Sequence, residues 1–268
     1  MSVQHLFVDG VALWAPRLPG WDLAASALRG EPAAPREPTR PAGTCLAPNE
    51  RRRAPEGVKL ALDVAAAAVA ASGHDARTLP SVFASAHADL AIVDALCDTL
   101  AADPLLLSPM RFHHSVHNAA SGYWAIASGC TATSSAVAAD RGSFAAGWIE
   151  AATLVAAEQQ PVLLVGFDTE ACGRLQSVNT SRGLLGVALV LSPVAGPQTT
   201  HRLRWQLESA AGPATPLPAT PLRSAAAQGL AGNAMADALP LMELLAAAQP
   251  GHVQLALSGG VALVLTRE

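Results

Sequence analysis

Residues 161–167, PVLLVGF, carry no polar side chain at any position. Residues 184–192, LLGVALVLS, are nearly as uniform. Runs this short and this apolar predict strands buried on both faces, because a half-exposed strand alternates instead. Both faces of such a strand need cover, so the chain must build layers around a sheet. The rest of the pattern supplies the cover. Residues 21–29, 56–72, 89–101, 119–127 and 143–158 predict helices, with Gly30 ending the first and Gly73 as the C-cap of the second. Residues 3–14, 80–86, 131–139, 201–209, 252–257 and 261–266 predict further strands. Proline-rich residues 31–49 and 211–222 predict loops, and a helix is expected near 233–248. Strands alternating with helices predict an α/β fold of layered, sheet-centred architecture.

Composition excludes several functions. The 268 residues are 51% hydrophobic and 14% charged, with a net charge of −4. That leaves no basic footprint for nucleic acid. The one basic run, Arg51-Arg52-Arg53, reads as a solvated loop or, more sharply, as a patch for an acidic partner. The four cysteines, Cys45, Cys97, Cys130 and Cys172, form no CxxC pair and no zinc spacing with histidine. No secretory signal and no membrane-spanning run is evident, so a soluble, cytoplasmic protein is expected. No phosphate fingerprint of the GxGxxG or Walker type follows a strand, and no cofactor is expected.

The richest polar and aromatic cluster is Phe112, His113, His114, Ser115, His117, Asn118, Tyr123 and Trp124, which holds the only tyrosine. Such a concentration points to an interface or a pocket wall. The plainer alternative is a set of satisfied histidines capping helices. A metal site at His113, His114 and His117 would need a helix and an acidic or cysteine ligand, and none is near in sequence. Asp168, Thr169, Glu170 and Arg174 follow a buried strand and are assigned only a possible surface contact.

Several segments in order resemble the β-ketoacyl synthase family, whose members have the thiolase fold. They are FVDGVALWAPRLPGWDLAASALRGE near the start, HNAASGYWAIASG at 117–129, the apolar strand 161–167 and the closing LSGGVALVLTRE. The resemblance implies a nucleophilic cysteine at a strand end opening a long helix, where the helix N-terminus stabilises a thiolate. Counting from Gly129 or back from Pro161 places it at or beside Arg141, within Ala139-Asp140-Arg141-Gly142-Ser143. No cysteine is there. Cys130 lies at the wrong end of the strand and reads as a plain buried cysteine. The family's C-terminal half carries catalytic histidines, yet His201 and His252 lie in none of its histidine motifs. The chain therefore reads as a single ketosynthase-like domain over 1–268, with 1–195 resembling the N-terminal half and 196–268 a strongly reduced C-terminal part.

Such chains resemble the chain-length-factor-type subunits of type II ketosynthases, with aryl-polyene pigment systems as the nearest likeness. The resemblance implies no catalysis by this chain and a heterodimer with a full-length ketosynthase. The smaller subunit would shape that partner's acyl tunnel in fatty-acid- or polyketide-like biosynthesis. An acyl carrier protein would be an indirect partner. The strand at 131–139, with Thr133, Ser134 and Ser135, would pair across the two-fold. Phe112, His113, His114, His117, Asn118, Tyr123 and Trp124 would face the tunnel. Arg141 could fill the vacated pocket or pair with Asp140 or Glu150. Two alternatives stay open: a diverged acyltransferase or condensing enzyme acting through Ser143 or Cys130, and a homodimeric acyl-binding protein. Ser143 is also an ordinary N-cap residue, which explains it without chemistry.

Overall fold

The two apolar runs form the middle of one mixed sheet. The computed structural model describes residues 4–32, 34, 36–210, 217–258 and 260–268. Strand β5 (Val162–Asp168) and strand β6 (Leu185–Ser192) are buried at every position. Around them lie β1 (Gln4–Ala15), β3 (Ser81–Ala84), β4 (Ser134–Val137), β7 (His201–Ser209), β8 (Gly251–Ala256) and β9 (Val261–Arg267). The order is β4-β3-β5-β6-β1-β7-β9-β8, with the short β2 (Leu18–Pro19) folded back on β1. Strand β3 is parallel to β4 and β5, and the remaining pairs are antiparallel.

Helices cover both faces, as the apolar strands require. On one face α3 (Glu56–Ser72) and α6 (Ala119–Ser128) pack Leu60, Val64 and Trp124 against Leu163, Val165 and Phe83. On the other, α1 (Trp21–Leu28), α7 (Ser143–Glu158), α8 (Ala225–Leu230) and α9 (Leu239–Ala246) enclose a second core with Phe144, Trp148, Leu164 and Leu13. The expected layered α-β-α, thiolase-like class is what the chain forms. Close approach decides Gly10 of β1: a Cβ there would lie 2.1 Å from Ala68 O of α3, so only glycine fits. Gly73 ends α3 in the left-handed region at φ 70, as expected.

Several boundaries differ from the sequence expectation. Residues 48–53 are not loop. They form α2 (Pro48–Arg53), with Pro48 in its first turn and Arg51, Arg52 and Arg53 in its last, where cations suit the helix dipole. Residues 109–115 form α5 (Pro109–Ser115), started by the Ser108 side chain. The strand expected over 131–139 is only Ser134–Val137, because β3 offers four partners. The helix near 233–248 begins later, at Leu239, and α8 precedes it. Helix α4 (Leu90–Ala102) starts on the Asp89 side chain. Residue 3 of the first expected strand and residues 211–216 of the expected loop lie outside the described residues.

Candidate functional site

Strand β4 leads directly into the corner where the family resemblance puts a nucleophile. After Val137 the chain turns through a single 3-10 turn (Asp140–Gly142) and enters α7 at Ser143. Asp140 sits at φ 49, a left-handed conformation that aspartate tolerates better than most residues. Ser143 is fully buried. Its Oγ accepts from Ala139 N at 2.9 Å and donates to Asp140 O at 2.6 Å, so it ties the turn together. Ser143 thus spends its hydroxyl on the backbone and meets no base. Arg141 is exposed and donates to Thr180 Oγ1, not to Asp140 or Glu150. Cys130 is buried with its Sγ against Leu79 O at 3.5 Å, as a plain core cysteine would be.

The first turn of α7 is capped from the C-terminal part of the chain. Phe144 N and Ala145 N donate to Asp237 Oδ2 at 3.0 and 3.3 Å. These are the free N–H groups that a helix start offers to negative charge. The other oxygen, Oδ1, is closed off from solvent and has no hydrogen-bond partner among the described residues. Burial pushes the Asp237 carboxyl up to about 8, against the opposing pull of the two N–H groups. Sequence reading missed this residue, since nothing local marks an aspartate almost a hundred positions away as a cap.

A second buried carboxylate ties the strand ends nearby. Asp168 is fully buried, which corrects the expectation of a surface contact. Ser85 Oγ, Ala86 N and His87 N donate to it at 2.8, 2.9 and 3.1 Å. Burial raises its pKa, while those donors pull it down. Asn233 Nδ2 lies 3.0 to 3.2 Å from the carbonyls of Asp168, Arg182 and Gly183 and joins the C-terminal segment to this end of the sheet. A charged residue closing a wholly apolar strand was the available signal for Asp168.

The polar and aromatic cluster divides between surface and core. Phe112, His113 and Asn118 are exposed, and Tyr123 is half-buried. His113, Asn118 and Tyr123 share a 480 Å³ cleft with Arg53, Met110 and Ile126. His114 is buried and bonded to Tyr123 Oη at 2.9 Å; burial first, then His113, lowers its pKa. His117 Nε2 lies 2.8 Å from Ser85 O. His114 and His117 thus take separate partners, and the His113 ring lies 5.9 Å from that of His114. Trp124 differs from expectation: at 3% exposure it points into the core, because α6 lays that face on α3. Met110, Val116 and Ile126 of the cleft are exposed, and so are Leu105, Leu106 and Phe112 outside its lining, Leu105 at 93%. Thr133 and Ser134 are exposed at the sheet edge and Ser135 is half-buried. No helix among the described residues is long and apolar enough to cross a membrane.

Residues 25–246 match the family described as "Beta-ketoacyl synthase, N-terminal domain". No curated protein matches the chain. Among solved structures, the ketosynthase (ApeO) in complex with its chain length factor (ApeC) from Xenorhabdus doucetiae is similar at 24% identity and a TM-score of 0.73. That match covers 98% of this chain and 99% of the other. The ishigamide ketosynthase/chain length factor matches at 15% identity and a TM-score of 0.71, covering 98% of each chain. A type II PKS acyl-carrier protein in complex with its ketosynthase bound to the hexaketide matches at 10% identity and a TM-score of 0.73, covering 100% and 99%. At these identities the likeness is one of fold.

Proposed function

The chain belongs to the β-ketoacyl synthase N-terminal-domain family, and from that membership we propose that it is a non-catalytic ketosynthase-like subunit of chain-length-factor type. It pairs through β4 with an active β-ketoacyl synthase and shapes that partner's acyl tunnel in fatty-acid- or polyketide-like biosynthesis, aryl polyenes included. One observation carries the reading. The helix start that corresponds to the nucleophile position holds no thiol, and its hydroxyl and N–H groups are occupied by Ala139, Asp140 and Asp237. Covalent condensation needs a nucleophile that substrate can reach and donors free for the developing oxyanion. The exposed apolar side chains around Phe112 supply a surface of the kind that a stable partner covers.

Co-expression with a ketosynthase tests the pairing. A 1:1 complex is expected, with acyl groups found on the partner alone by intact mass. An acyl adduct on this chain that disappears in Ser143→Ala or Cys130→Ala would restore the enzyme reading. Phe112 is 58% exposed on α5, the helix that brings Met110 and His113 to the cleft. Phe112→Ala is expected to lengthen the complex's product by at least one extension unit while leaving the complex intact. Unchanged product length removes Phe112 as the limit.

A further inference from the structure

Beside β4, Glu150 has no cationic partner among the described residues. Helix α7 crosses the sheet face that carries Ser135, and Ser135 Oγ donates to Glu150 Oε1 at 3.0 Å. Glu150 is half-buried there. Among the described residues no lysine, arginine or histidine pairs with it. Neither α7 nor residues 131–139 contain a basic side chain. Arg141, the cation nearest in sequence, is bonded to Thr180 instead. One turn to either side of Glu150 on α7 stand the small Ala146 and Thr153, which leave room for close approach.

The ladder fixes what the free edge offers. Ser81 N and Ser85 N donate to Thr133 O and Val137 O. Alternation then turns the N–H and C=O groups of Ser134, Ala136 and Ala138 outward. Two copies of this chain pairing antiparallel through those groups would bring both α7 helices onto one face of a continuous sheet. Their Ser135 residues would be diagonal neighbours, roughly 8 Å apart. Each would carry its own Glu150 into the same dehydrated contact, with no cation between them. Like charges brought together in an interface act against the wrong partner, whereas a donor or cation in that place rewards the right one.

We propose that Glu150 selects the partner at the β4 edge. It disfavours self-pairing of this chain and favours a partner that brings an arginine, a lysine or a hydroxyl donor to Ser135. The inference rests on the β4 pairing proposed above.

Sedimentation equilibrium of the isolated chain tests it. Glu150→Gln keeps an oxygen for Ser135 and removes the charge. It is expected to self-associate about tenfold or more tightly than wild type, equivalent to about 1.4 kcal/mol. Wild type mixed with Glu150→Lys is expected to give 1:1 mixed pairs by native mass spectrometry. Equal self-association of wild type and Glu150→Gln, or no mixed pair, overturns the proposal. Adding Ala136→Pro to Glu150→Gln separates the two ideas. A pair abolished by proline locates the contact at β4. A pair that survives it lies elsewhere and removes the β4 reading with the inference. Should circular dichroism show that Ala136→Pro disturbs the fold, Ala138→Pro blocks the next outward N–H in its place.

Discussion

Two neighbouring stretches of this chain are finished in opposite ways. From Thr131 to Arg141 most residues are exposed, and the outer backbone groups of β4 meet no other part of the described chain. Two residues further on, Ser143, Phe144 and Ala145 are fully buried and their polar groups are taken by the chain itself. The far edge of the sheet shows that the openness of β4 is particular to it. At β8, Thr220 N donates to Gln254 O and Gln254 N to Thr220 Oγ1, both at 2.8 Å, and Gln254 Nε2 reaches Pro218 O. Bare edges invite pairing with another chain, and proteins usually cover them. This one covers β8, closes the helix start and leaves β4 open. The difference separates a corner whose polar groups are satisfied within the chain from an edge whose polar groups are not.

The largest expected effect breaks the open side. Ala136→Pro removes an outward N–H at an edge strand, a place where proline is tolerated by the fold. It is expected to abolish co-purification with the ketosynthase proposed as its partner while circular dichroism stays native. A complex that survives would mean that the partner does not use β4, and the contrast between the two stretches would lose its functional meaning.

The second prediction concerns the closed side. Asp237 has a folded-state pKa near 8 against a usual value of 3.8, so the folded state holds a proton that the unfolded chain releases. Its contribution to stability is full below about pH 4 and is lost as the pH rises toward 8, with a limiting slope of about 1.4 kcal/mol per pH unit. Asp237→Asn keeps an oxygen for Phe144 N and Ala145 N but cannot ionise. The variant's urea midpoint is expected to fall less than that of wild type between pH 5 and pH 8. Parallel pH profiles would show that Asp237 is already ionised across this range. The cap would then be a paired charge at a helix start.

What the sequence made legible follows from range. The apolar runs at 161–167 and 184–192 dictated a covered sheet, and α3 with its Gly73 cap could be read from local periodicity. The strand before α7, the lack of cysteine at Ala139 to Ser143 and the surface character of Phe112 were also readable. The rest depended on contacts between distant residues. Asp237 caps a helix that starts at Ser143, and Asn233 holds the carbonyls of Asp168, Arg182 and Gly183. Neither has a local signature. Trp124 misled for a related reason: bulk beside polar residues suggested a surface, but α6 turns that face onto α3. The arginines of α2 misled in the opposite sense, since a proline-rich approach hid a short helix that Pro48 itself starts.

The smallest expected effect sharpens the contrast between the two edges. Thr220→Val removes the hydroxyl acceptor for Gln254 N but leaves the backbone bond from Thr220 N to Gln254 O. Water can reach the freed N–H at this edge, so the cost is that of one ordinary hydrogen bond, about 1 kcal/mol or less. Thermal unfolding should show a drop of a few degrees or less, and capture of the ketosynthase should not change. If the variant instead begins to self-associate, the hydroxyl at Thr220 is what keeps β8 from pairing. Both edges would then be competent for strand addition, and the choice of β4 would rest on the cover over β8 together with the charge of Glu150.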